Sequence, residues 1–233
     1  ILSIMLAICM VITLVPQAAF AASSTPSVTA YATKEQLMDG TFAPDSNGNA
    51  ATIGKLAFGK NSSRQAQEWY ILGKDSGVTG DNTILFAASP IKSGQVFNSS
   101  TSNKTYNSTE VYTNHYGASE LRAALNNMAA STSYFTEAEQ GMMNATTVTT
   151  KDIKNNKDYT TTDKLYALAA DGIGAATIKA GNSNQTAFAM ESYWNSEDIQ
   201  NFWLRSPYAD SNSLNSGVLF VSYDNLVERA DIN

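Results

Sequence analysis

Cysteine and histidine are almost missing from this chain. Of 233 residues one is Cys and one is His, and the cysteine, Cys9, lies inside an N-terminal apolar run. Past that run the chain can form no disulfide, no thiolate metal site and no cysteine nucleophile. A Ser-His-Asp arrangement would have to be built on His115 alone. Its surroundings, "YTNHYG", are polar and loop-like, and no G-x-S-x-G elbow occurs. "GKDSG" at Gly73 faintly resembles a serine-protease nucleophile loop, but it falls between two strand patterns and reads as a turn. Positive charge is also scarce: 15 Lys and Arg against 21 Asp and Glu leave a net charge of −6, with no basic cluster. Nucleic acid and anionic membrane surfaces therefore have no electrostatic foothold.

What is present begins with "ILSIMLAICMVITLVP", an apolar run closed by small residues at the −3 and −1 positions of a cleavage after Ala21. This pattern predicts a signal peptide over 1–21, and so a secreted or cell-surface protein whose mature chain does not insert in the membrane. The run is shorter than the roughly 20 residues a membrane anchor needs. With no Met at its start and no Lys or Arg ahead of the run, the sequence reads as a piece of a longer precursor. At 43% hydrophobic residues the remainder can bury a core.

Residues 22–53 read as a spacer or N-terminal extension, with Ser23–Ala30 rich in Ser, Thr and Pro. Asp45, Asn47 and Asn49 open like an EF-hand loop. Position six is Ala50 instead of Gly and position twelve is Leu56 instead of Glu, which rules the motif out. A single domain is expected over 54–233. "KLAFG" predicts a short strand closed by Gly59. "EWYILGKD" is apolar on both faces, as a central strand would be, and "NTILFAAS" is its hairpin partner. Ser93–Asn114 reads as a long surface loop. Two helices follow: "ASELRAALNNM", capped by Ser119, and "FTEAEQGMMNA", opened by a capping box of Thr136 and Glu139. Lys164–Ile173 predicts a further strand, and a short helical turn is expected within Tyr193–Phe202. "FWLRSP" is a strand ended by Pro207. "GVLFVSY" and "LVERADI" form a hairpin across a two-residue turn at Asp224 and Asn225. The chain stops inside or just after a strand, as a truncated domain would. Strands, two adjacent helices and more strands, without βαβ alternation, give an α+β class with a mixed, mostly antiparallel sheet and long loops.

In this order the parts resemble a family of secreted domains of unknown function abundant in gut Firmicutes. The likeness runs from about Gly54 to Asn233, with "LRAALNN" and "FWLRSP" its most specific motifs. In that family a W-x-L-R-S-P segment precedes a polar loop and a final hairpin. The resemblance implies a C-type-lectin-like fold, shared with formylglycine-generating enzymes and with hypervariable ligand-binding proteins of diversity-generating retroelements. Formylglycine generation needs a copper-binding cysteine pair, which the chain past its leader lacks.

The remaining chemistry is thin. A glycan or cell-wall hydrolase would need two carboxylates set about 5–10 Å apart. Glu120, Glu137 and Glu191 are the nominees for this alternative, with Glu137 and Glu139 better explained as helix-start residues. The Glu-Pro-Asn and Trp-Asn-Asp triplets of calcium-dependent lectins are absent. Asp210, Asn212 and Asp224 carry oxygens of the kind calcium takes, but they read more simply as solvated loop polars, and no cofactor is expected. Trp69, Trp203 and Arg205 read as structural: aromatic bulk fills small-sheet cores, and a buried guanidinium must be hydrogen-bonded. Tyr208, Asp210, Ser211, Asn212, Asn215, Tyr223, Asp224 and Asn225 combine Tyr with short polar side chains, the composition of adaptable binding loops. They are the candidate ligand-binding residues, and the expected function is non-catalytic binding of an extracellular protein or glycan.

Overall fold

A strand that is apolar on both faces has to lie inside a sheet, and the "EWYIL" strand does. In the computed structural model β3 (Ala66–Lys74) lies between β2 (Thr52–Lys60) and β4 (Thr83–Ala87), antiparallel to both. The structure describes residues 27–31, 52–74, 83–169, 202–208, 217–221 and 227–231. The apolar run 1–21, the Asp45–Asn49 stretch, the loop at 75–81, Glu191, the turn expected at 193–201, and Asp210, Ser211, Asn212, Asn215, Tyr223, Asp224 and Asn225 lie outside them.

The expected spacer contains a strand: β1 (Ser27–Tyr31) pairs with β2 in parallel and completes a four-stranded sheet, with the Tyr31 hydroxyl donating to Glu68 Oε1 at 2.7 Å. The expected short strand at "KLAFG" runs instead through Gly59, where the β2–β3 register slips and Gly59 takes φ +71°. Such a φ is what a bulge asks of glycine. Trp69 is buried, and its indole N–H donates to Phe58 O at 2.7 Å, so its one polar atom is satisfied.

Both helix starts form as their sequences require. The Ser119 side chain accepts from Arg122 N at the head of α1 (Glu120–Ala129), and Thr136 and Glu139 close a capping box on α2 (Glu137–Met142). Helix α1 separates two apolar clusters. Met128 and Ala129 pack with Trp69, Phe135 and Leu165, Leu121 packs with Phe97, Tyr116 and Val218, and Leu125 touches both groups.

The segment 93–114 is not a plain surface loop. It holds a hairpin, β5 (Lys104–Tyr106) and β6 (Thr109–Val111), whose turn residues Asn107 and Ser108 both have positive φ, the signature of a type I′ turn. Phe97, Asn98, Val111, Thr113 and Asn114 are buried, and a 3-10 turn, Tyr116–Ala118, leads into α1. The Thr-rich stretch beyond α2 forms a second hairpin of seven paired positions, β7 (Thr146–Asp152) and β8 (Lys157–Asp163). Thr146, Val148, Thr150 and Asp152 face inward in strict alternation.

Lys164–Ile173 forms no extended ladder over its described part, 164–169. It runs beside β9 (Phe202–Pro207), whose Arg205 N donates to Leu168 O at 2.8 Å. β10 (Gly217–Val221) pairs antiparallel with β9 and with β11 (Val227–Asp231). The β10–β11 register sets Val221 opposite Val227, and the turn expected at Asp224 and Asn225 lies outside the described residues. An edge-on contact between Phe86 of β4 and Phe202 of β9 joins the two larger sheets. The class is α+β, mostly antiparallel, with two helices.

Candidate functional site

The hexapeptide "FWLRSP" forms β9, and its burial follows from a bulge. Phe220 pairs with Trp203 and Val218 with Pro207, so Leu204, Arg205 and Ser206 together oppose Leu219 alone. A bulge breaks the alternation of faces, and all three of these residues are buried. Arg205 is only 2% exposed. Its Nη1 donates to Ala167 O at 2.8 Å, and its guanidinium lies 5.8 Å from the centre of the Tyr166 ring. Trp203 is half-buried, edge-on to Phe97 and Phe220, with its indole N–H donating to Gln95 O at 2.8 Å. These contacts fasten β9 to the Gln95–Phe97 segment and to the 164–169 strip.

After Pro207 the chain leaves the sheet at Tyr208 and returns at Gly217. Tyr208 N donates to Gly217 O at 2.9 Å, so the two residues that flank 209–216 are tied together in a neck. Gly217 fits there because it carries no side chain: a Cβ would lie 3.2 Å from Tyr208 Cβ and Cδ1. Buried Asn114 reaches this neck from the far end of the 93–114 segment. Its Nδ2 donates to Gly217 O at 3.1 Å, with Tyr208 O at 3.5 Å. Its neighbours each tie to a different partner. Thr113 O accepts a hydrogen bond from Asn98 Nδ2, and the His115 ring stacks on Tyr159 of β8. The run Thr113–Asn114–His115 is thus a buried support under the loop.

Of the candidate binding residues, Tyr208 is described, and it sits at the neck, half-buried. Connections 209–216 and 222–226 leave opposite ends of β10, about 13 Å apart at the rise of a strand. Sequence reasoning missed Asn114 altogether. The available signal was "TYNSTEVY", an Asn-Ser pair flanked by β-formers, which marks a hairpin and so argues against a plain loop.

Of the groups considered for catalysis, Glu120 is held by other contacts. Glu120 accepts from Ser99 Oγ at 2.7 Å and Ser99 N at 3.1 Å, with Lys104 at 3.8 Å. The Ser99 hydroxyl, then its amide, holds the Glu120 carboxyl below its usual value, whereas a general acid needs the opposite shift. Glu137 is exposed in the first turn of α2. His115 has no hydrogen bond to either ring nitrogen, so no nucleophile–base pair forms on it among the described residues. Among those residues no three His, Cys, Asp or Glu side chains gather as a metal site would require, and no helix is long and apolar enough to cross a membrane.

The described residues form a mostly antiparallel α+β domain in which Tyr208, Gly217 and Asn114 meet at a buried base. The chain belongs to the family described as domain of unknown function DUF6273, which matches residues 80–233. The match begins just ahead of β4, so β1, β2 and β3, which complete the four-stranded sheet, precede it. No curated protein and no solved structure matches the chain.

Proposed function

We propose that this is a secreted or cell-surface domain of C-type-lectin-like fold that binds an extracellular protein or glycan, without catalysis, through the loop between Tyr208 and Gly217. The observation that carries the reading is the neck, where Tyr208 N, Gly217 O and Asn114 Nδ2 converge on a buried base. A fixed base with a Tyr-, Ser-, Asn- and Asp-containing loop is how scaffolds present binding surfaces. Tyr223, Asp224 and Asn225, beyond β10 in sequence, are a second group of candidate binding residues. The lectin-like reading rests on the resemblance of the sequence order, a W-x-L-R-S-P segment, a polar stretch and a final pair of strand patterns. The secreted reading rests on the apolar run and the small residues ahead of Ala22.

The test is binding of the chain from Ala22 onward to glycan and extracellular-protein arrays, beside a variant whose residues 209–216 are replaced by Gly and Ser at equal length. Binding that disappears in the variant, with an unchanged thermal midpoint, supports the reading. Binding that survives the replacement overturns it. Tyr223→Ala, measured in parallel, reports on the second group alone.

A further inference from the structure

His115 follows Asn114, and it occupies an unusual place. It is 3% exposed, its ring stacked on Tyr159 of β8 at 3.8 Å and 17° and tilted against Tyr106 of β5 at 4.8 Å. The ring therefore sits where hairpin β5–β6 meets hairpin β7–β8. Around it the two hairpins are tied by Tyr106 Oη to Thr160 O at 3.2 Å, by the Lys154–Glu110 ion pair and by Asn155 Nδ2 to Glu110 O at 3.2 Å. A neutral imidazole carries one donor and one acceptor, and here neither Nδ1 nor Nε2 has a partner. An imidazolium would bring a charge and a second unmet donor into the same buried space, which costs far more than the neutral ring.

The surrounding charges do not reverse this. Asp152 of β7, and after it the backbone of His115 itself, favour the cation without outweighing burial, and the Asp152 oxygens already accept from Asn155 N at 3.2 Å and Asn155 Nδ2 at 2.7 Å. Arg122 of α1 and Lys157 of β8 oppose the cation, and Arg122 is itself paired with Asp163 at the end of β8. The phenols that touch the ring are those of Tyr106 and Tyr159. Burial pushes the Tyr159 phenol up, so it stays neutral. Burial likewise holds His115 down, at about 4 against the usual 6.5.

We propose that the Tyr106–His115–Tyr159 stack is an acid-sensitive catch. Protonation of His115 drives the ring from between the two hairpins, and the adjacent Asn114 then withdraws from Gly217 and loosens the neck between Tyr208 and Gly217. The open form binds a proton below about 6.5 and the closed form only below about 4. The closed form is accordingly favoured in full above that range, and its advantage falls through it, by about 300-fold in total. A ligand held by the loop would be released in acid. That consequence rests on the proposed function, but the opening itself does not.

The experiment needs no ligand. Amide hydrogen exchange of the wild type is compared with His115→Phe, which keeps the stacked ring and removes both nitrogens, each at pH 7 and pH 5 so that intrinsic exchange cancels. Expected is a loss of protection in wild type of about 20-fold on going to pH 5, over residues 104–111 and at Tyr208, and none in the variant. An equal response in both proteins, or none in either, overturns the catch. Loosening of 104–111 with Tyr208 unchanged overturns its link to the neck. As a check that needs no variant, the one histidine in the chain gives a single imidazole Cε1–H resonance. A titration midpoint near 4 supports the catch and one near 6.5 overturns it. An array on which the protein binds nothing at either pH would remove the functional reading and leave both measurements standing.

Discussion

Glu139 Oε1 accepts the backbone N–H of Gly59 at 2.8 Å, across 80 residues of sequence. The other oxygen, Oε2, accepts from Thr136 N at 2.7 Å and Thr136 Oγ1 at 2.8 Å, so one carboxylate both starts α2 and docks it on β2. Partial burial pushes its pKa up, but the hydrogen bonds from Gly59 and Thr136 outweigh this and leave it below the usual range. Glu139→Ala is expected to cost about 2 kcal/mol in urea denaturation, combining a lost cap with a lost charge-assisted bond. Because the folded pKa is lowered, this stabilisation is complete above the ordinary carboxylate value of 4.5 and is lost as the pH falls below it. The stability of Glu139→Gln should accordingly fall less steeply than that of wild type below pH 4.5.

Gly59 itself tolerates no side chain. At φ +71° a Cβ would lie 2.5 Å from two carbons of the Phe135 ring and 2.8 Å from Tyr134 O. Phe135 is buried and cannot swing away. Gly59→Ala should cost about 2–4 kcal/mol, from the left-handed backbone and the overpacking together. Thermal unfolding measures this directly.

Arg122 grips the fully buried carboxylate of Asp163 through Nε at 2.9 and 3.1 Å and through Nη2 at 2.9 Å. Arg122→Met strands that carboxylate, at an expected cost of about 3–5 kcal/mol. The double variant Arg122→Met with Asp163→Leu removes the stranded charge and should be the more stable of the two. A double-mutant cycle in denaturant distinguishes the outcomes, and equal stabilities would contradict the pairing.

Asn107 and Ser108 have φ of +49° and +63° in the β5–β6 turn. Ser108→Gly creates the Asn-Gly pair that a type I′ turn favours. It is expected to stabilise the protein by about 0.5 kcal/mol, the relief of left-handed strain exceeding the added entropy of the unfolded chain. A raised thermal midpoint is the readout.

Asn114 donates to the carbonyls at the loop neck, so its replacements should differ by chemistry and not by size. Asn114→Asp keeps the shape but turns a donor against carbonyl oxygens inside the protein. It should cost about 1–3 kcal/mol and speed amide exchange at Tyr208 more than at helix α1. Uniform destabilisation without a local effect at Tyr208 would argue that Asn114 does not hold the neck.

Legibility followed contrast between neighbouring residues. Helix starts at Ser119 and at Thr136 with Glu139 were readable because their caps involve residues three apart, and β3 was readable because both of its faces are apolar. Hairpin β7–β8 offered no such signal. Thr stands on its inner face at 146 and 150 and on its outer face at 147 and 149, so a period of two existed without any change in polarity to reveal it. The 93–114 segment read as loop because its buried residues Asn98, Thr113 and Asn114 are polar. Asn98 donates to Thr113 O within the segment and Asn114 to Gly217 O, 103 residues away, and composition records neither partner.

By itself the sequence determined what depends on local rules. These are the α+β class, the two capped helices, the β3–β4 hairpin, the strand ended by Pro207, and the absence of disulfide and thiolate chemistry past residue 9. The tertiary structure decided what depends on partners: that β1 joins the first sheet, that β9 bulges so that Leu204, Arg205 and Ser206 all turn inward, and that the loop after Tyr208 is closed by Asn114. It also decided that the one histidine lies buried between two tyrosines. The physical reason is that caps, turns and faces are short-range properties of the chain. The burial of a polar side chain, by contrast, is settled by whichever distant donor or carbonyl the fold brings to meet it.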